Sequence, residues 1–222
     1  MSLLFEKEDR ILFIGDSIGD CQRGRPFGDT PAGWGDSYIG AAAGLLQATY
    51  PELHLKVCNV CTDGDQTRHL LKRWDLDVTA WHPHWVCMMI GINDVWRRYD
   101  TPDHPEDAVP LDEYQGNLEQ LLSRGVPDLK GFVLMTPFFL GQQTQDPMRG
   151  DMDRYREAAC RIGQAHGCVV VDTQKAWDSY FAKSGSHPHA ISWDCIHPNR
   201  VGRMVLCRAF LQAVGYEWNS FT

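Results

Sequence analysis

Five short apolar runs, set far apart along the chain, constrain this sequence more than any other feature. They cover residues 11–15, 55–59, 85–90, 131–135 and 168–171. Runs this short and this continuously apolar read as strands covered on both faces, as in a parallel sheet. Helical patterns follow each of them, over 36–50, 66–74, 111–124, 151–166, 174–183 and 199–214. The helix near 151 is predicted to start at Asp151 or Asp153, ahead of Tyr155, Ala158, Ala159 and Ile162 on one face. Alternation of this kind predicts an α/β fold with right-handed crossovers and helices on both faces of the sheet. The 222 residues suit one domain over 1–222, with no repeat, linker or low-complexity stretch. Three long connections (20–35, 97–110 and 137–150) follow strand ends, where loops tend to carry function.

Composition then excludes several classes of function. A net charge of −8 without a basic block argues against nucleic acid as a partner. No apolar run approaches the ~20 residues needed to cross a bilayer. Residues 1–10 mix acidic and basic side chains and lack the apolar centre of a signal peptide, so a cytoplasmic protein is expected. The eight cysteines are then expected to stay reduced. Cys58 and Cys61 form the only C-x-x-C; without a second pair, and with His54 and His69 at the wrong spacing, it reads as incidental rather than as a zinc site.

The chemistry begins at the first run, where Ile11-Leu12-Phe13-Ile14 is followed by Gly15-Asp16-Ser17. Gly15 permits a tight turn, and Ser17 falls just past the strand's carboxyl end, the ligand-binding edge of open α/β sheets. A serine there also serves simply to cap a helix. The other end of the chain holds Asp194-Cys195-Ile196-His197-Pro198. Pro198 suits the first turn of the last helix and makes His197 extended, with its ring at a helix N-terminus that disfavours the imidazolium. Asp194 is spaced to accept the Nδ1 proton of His197. Alone, this pair is as well explained by a surface Asp and His beside a helix start.

Two further residues bear on the choice. Asn93, in Gly91-Ile92-Asn93-Asp94 after the third strand, carries an amide able to donate to an oxyanion. Gly64, after the second strand, lets a backbone N–H approach a ligand closely. Each alone is an ordinary turn residue. Together with Ser17 and His197 they would converge on one sheet edge.

Gly15-Asp16-Ser17, Gly64, Gly91-Ile92-Asn93-Asp94 and Asp194-x-x-His197 together resemble the SGNH, or GDSL, hydrolase family in order and spacing. The resemblance implies a three-layer α/β/α flavodoxin-like fold with a five-stranded parallel sheet. It also implies Ser17 as nucleophile, with Asp194 and His197 completing a triad. The Ser17 N–H, Gly64 N–H and Asn93 Nδ2 would form an oxyanion hole. Stretches 91–99, 134–139, 145–149 and 209–218 are similar to the family's carbohydrate acetylesterases acting on xylan oligosaccharides. That implies a serine esterase for O-acetyl groups, with no metal or organic cofactor. A lysophospholipase or thioesterase of the same family is the alternative within enzymes; a flavodoxin-like binding module without turnover is the alternative outside them.

The sequence departs from the family pattern at Cys61, in place of a common glycine, and at Gly19, in place of a common polar residue. Asp63, next to Gly64, would oppose a developing negative charge unless it points away. Gly15-Asp16-Ser17-Ile18-Gly19 also fits the G-x-S-x-G elbow of α/β-hydrolases, but that elbow follows several strands and here only the first precedes it. Trp34, Trp96, Tyr99, Phe138 and Trp193 flank the site in sequence, as sugar platforms or as core. An acidic surface with many aromatics would also support a homo-oligomer.

Overall fold

The computed structural model describes residues 2–143 and 145–218. Position 144, inside the 137–150 connection, and the outermost residues of the 1–222 span lie outside them. Five strands, β1 (Arg10–Gly15), β2 (Lys56–Asn59), β3 (Trp85–Met89), β4 (Gly131–Met135) and β5 (Val169–Val171), form one sheet in the order β2-β1-β3-β4-β5. Every pairing is parallel, with Ile11 opposite Val57 on one side of β1 and Trp85 on the other. Ile11, Leu12, Phe13 and Ile14 are essentially unexposed, as a strand covered on both faces requires.

Among the described residues, eight α-helices flank the sheet: α1 (Ser17–Asp20), α2 (Tyr38–Thr49), α3 (Thr67–Asp77), α4 (Ile92–Asp100), α5 (Leu111–Ser123), α6 (Pro147–Ala165), α7 (Thr173–Ser184) and α8 (Arg200–Ala213). Contacts of α8 with α2 and α7, and of α5 with α3 and α6, sort the long helices into two outer layers. The fold is thus the three-layer α/β/α arrangement the sequence implied. Tyr38 and Phe210 close on Phe13 from one side, at ring distances of 6.2 and 5.1 Å. On the other side Trp74 meets Phe132, and Tyr114 meets Tyr155 at 4.8 Å. Burying each such side chain contributes roughly 1.5–3 kcal/mol.

Two elements differ from expectation. Residues 92–100 form α4, where the sequence reading has a turn at 91–94 and a loop from 97. Ile92, Val95, Trp96 and Tyr99 recur at helical spacing and are the signal that the turn reading overlooks. Helix α6 starts at Pro147 rather than at Asp151 or Asp153, because Asp146 caps it by accepting the Met148 N–H at 2.9 Å. Asp151 lies inside the helix and accepts from Arg98, Tyr99 and Arg154. Among the described residues, no helix is long and apolar enough to cross a membrane.

Candidate active site

Ser17 is the first residue of α1, directly after β1. Asp16 caps the helix through Oδ1, which accepts the Ile18 N–H at 3.0 Å. Burial, reinforced by Asp94 and Asp65, pushes the Asp16 carboxyl up to about 7 despite that hydrogen bond. The first N–H groups of a helix have no acceptor within it, which leaves the Ser17 N–H available to a ligand. Gly15 is a glycine for a reason other than a turn: a Cβ there would lie 2.3 Å from the Met89 carbonyl oxygen of β3.

Pro198, expected in the first turn of the last helix, stands ahead of α8 together with His197. Asn199 is the N-cap, its Oδ1 accepting from the Val201 and Gly202 N–H groups, so the helix begins after Pro198 instead of at it. A strong side-chain cap satisfies the orphan donors and sets the boundary there. The ring is oriented by Asp194 instead. Asp194 Oδ1 accepts from Ser192 Oγ at 2.7 Å, Ile196 N at 2.9 Å and His197 N at 2.8 Å, with Cys195 at φ 61 closing the turn. Its Oδ2 lies 2.5 Å from His197 Nδ1. Burial raises the Asp194 carboxyl, but the hydrogen bonds from His197, Ile196 and Ser192 outweigh it and hold the group down at about 2. An ionised carboxylate only accepts, so Nδ1 carries the proton and Nε2 is left as a base. That Nε2 lies 2.8 Å from Ser17 Oγ, across 180 positions of sequence.

Gly64 and Asn93 arrive from the neighbouring strand ends. Gly64 holds φ at +76, a left-handed conformation that favours glycine. Asn93, 2% exposed in the first turn of α4, donates from Nδ2 to the Asp65 carbonyl at 2.9 Å. The Gln66 amide in turn donates to the Asn93 carbonyl at 3.1 Å. Asp63 is exposed, and its backbone N–H donates to Asp20 Oδ2 at 3.1 Å, so its carboxylate reaches solvent. The two departures from the family pattern explain each other: a Cβ on Gly19 would lie 2.4 Å from Cys61 Sγ. Cys61 fills the space that a side chain at position 19 would need. Burial pushes its thiol well above the usual range and that of Cys58 up to about 12, so both act as small apolar groups. All eight cysteines are free.

Sequence reasoning overlooked the arginines that tie these loops together. Arg23 Nε donates to the Cys61 carbonyl at 2.6 Å, and its Nη1 to the Pro26 carbonyl at 2.6 Å. Arg73 binds Asp65, the Val60 carbonyl and the Gly15 carbonyl at 2.6, 2.8 and 3.3 Å, joining the ends of β1 and β2. For Arg23, a guanidinium inside a Gly- and Asp-rich loop was the available signal; Arg73, on α3, carried none. Of the flanking aromatics, Trp34 and Phe138 belong to the core, and Tyr99 donates to Asp151. The Trp96 ring meets the His197 ring edge-on at 5.9 Å, and Trp193 is 80% exposed beside Asp194.

Residues 13–204 match the GDSL-like lipase/acylhydrolase family. An acetylxylan esterase from Geobacillus stearothermophilus is 46% identical over 211 residues, 95% of either chain. A crystal structure of an acetylxylan esterase from that organism superposes with a TM-score of 0.94 at 45% identity, covering 97% of this chain and 98% of that one. Solved forms of that esterase called catalytic mutants replace a serine, an aspartate or a histidine by alanine. An α/β hydrolase from the metagenome of Lake Arreo, Spain, superposes at 0.92 with 37% identity, covering 97% of this chain and 99% of that one. A family match over most of the chain and relatives this similar along nearly its whole length place it: the chain belongs to the GDSL-like lipase/acylhydrolase family.

Proposed function

We propose that this protein is a serine esterase that removes O-acetyl groups from carbohydrate esters, with acetylated xylo-oligosaccharides as the favoured substrates. The observation that carries the reading is the chain Ser17 Oγ–His197 Nε2–His197 Nδ1–Asp194 Oδ2, at 2.8 and 2.5 Å. Ser17 Oγ attacks the ester carbonyl while His197 Nε2 takes its proton. Asp194 stabilises the imidazolium that forms. The carbonyl oxygen becomes an oxyanion facing the Ser17 N–H, the Gly64 N–H and the second Nδ2–H of Asn93. The tetrahedral intermediate collapses, the sugar hydroxyl leaves with the proton from His197, and Ser17 carries the acetyl group. Water, deprotonated by His197, then attacks the acyl-enzyme and releases acetate.

The carbohydrate class rests on the 46% identity to an acetylxylan esterase along nearly the whole chain. Hydrolysis of p-nitrophenyl acetate, butyrate and octanoate beside acetylated xylo-oligosaccharides tests it. Fast release of acetate from the oligosaccharide, with rates falling as the acyl chain lengthens, is expected. Faster turnover of octanoate than acetate would move the reading to a lysophospholipase or thioesterase. Ser17 resisting a fluorophosphonate probe would overturn the nucleophile.

A further inference from the structure

Asn93 can serve an oxyanion only if its amide nitrogen faces the hole. An asparagine side chain is nearly symmetric, and a flip puts its oxygen where the donor should be. Asp65 supplies one constraint, since its carbonyl accepts from Nδ2 at 2.9 Å. The second comes from Arg97, one helical turn on, whose Nη2 donates to Asn93 Oδ1 at 3.3 Å. A guanidinium has no acceptor and a carbonyl has no donor, so a flipped amide would lose both contacts at once.

We infer that Arg97 is a positioning residue for the oxyanion hole: it locks the Asn93 amide with one Nδ2–H free for the substrate. Arg97 is itself well placed for this task. Its Nη1 pairs with Asp100, and its Cζ lies 5.1 Å from the centre of the Trp96 ring. Its Nη2 also lies 3.9 Å from the position a Gly64 Cβ would take, so the guanidinium faces the turn that supplies the neighbouring donor. A helix-surface arginine serving only its pair with Asp100 would touch neither.

The inference rests on the proposed esterase reading, and a double-mutant cycle on p-nitrophenyl acetate separates the two. Arg97→Met is expected to lower kcat roughly ten- to thirty-fold with KM within about twofold, a smaller loss than the 10²–10³ expected on removing the Asn93 amide. Arg97→Lys, which keeps a donor and a charge, should recover part of that loss. In an Asn93→Ala background, Arg97→Met should change kcat by less than about twofold, because the group it orients is gone. Thermal melts of the same samples identify a variant that lost activity by unfolding. A kcat for Arg97→Met equal to that of the parent overturns the inference while leaving the esterase reading intact. So does an equal loss in both backgrounds. If Asn93→Ala itself keeps full kcat, the assigned hole is wrong, and the role of Arg97 falls with it.

Discussion

The three hydrogen bonds to Asp194 Oδ1 leave Oδ2 for His197, and they make the carboxylate part of the backbone turn as well as the partner of the His197 ring. Asp194→Asn puts an amide where Nδ1–H needs an acceptor and favours the wrong tautomer. We expect kcat to fall by up to ~10⁴ in a protein that still folds. Equal kcat in the variant, measured per titrated site, would remove Asp194 from the relay. Asn93→Ala differs in kind. The ester oxygen gains most of its charge after attack, so the loss should appear in kcat, by about 10² to 10³, with little change in KM. Unchanged turnover with an earlier melt would make Asn93 a purely structural cap. Gly19 and Cys61 make a third case: Gly19→Thr should destabilise strongly, since its Cβ would sit 2.4 Å from Cys61 Sγ and 3.1 Å from Ile39 Cδ1. Adding Cys61→Gly should recover most of that loss, and denaturant titration of both variants checks the pair.

At the scale of elements, the site is a set of strand ends held by two guanidinium groups, Arg23 buried and Arg73 partly buried. Arg23 is 8% exposed and spans from the 20–35 connection to the loop after β2. Replacing it by Met would leave the Pro26 carbonyl without its donor, at about 1–3 kcal/mol, and the Cys61 carbonyl with only the longer contact from Arg25 Nη1 at 3.3 Å. Urea unfolding should register that loss, and a change under about 0.5 kcal/mol would mean water replaces the arginine. The strands were legible because a strand buried on both faces is apolar at every position, as Ile11 to Ile14 are. Ser17, Asp194 and His197, proposed as the triad, were legible as candidates because they sit in two short blocks. Helix α4 was not, because Gly91-Ile92-Asn93-Asp94 reads as a turn until Val95, Trp96 and Tyr99 are counted on the same face. The start of α8 near 199 was legible within a residue; Pro198, which has the chemistry of a first helical residue, nevertheless lies outside it because Asn199 is the cap. The ties of Asn93 to Asp65 and Arg97 depend on side-chain distances that no spacing rule encodes.

Over the whole molecule, buried carboxyls set opposing responses to pH. Asp16 and Asp94 are raised by burial to about 7, so the folded chain keeps protons that the unfolded chain releases near pH 4. Their contribution to stability is full below about pH 4 and is lost as pH rises through about 7. Asp194, held at about 2, contributes above about pH 4 and loses that contribution as pH falls towards 2. Asp16→Asn keeps an oxygen for the Ile18 N–H and should flatten the fall between about pH 4 and about pH 7. Melting curves across that range test it; an equally steep fall would mean that Asp16 is charged in the folded protein. The separation of Ser17 from His197 by 180 positions has a consequence for how such a protein is made. During synthesis Ser17 leaves the ribosome well before His197, and α8 must then dock on α2 before the two meet. A chain interrupted between them carries Ser17 without its partner. The contact between the two therefore forms only after the intervening sheet and helices have closed, and its presence reports that closure.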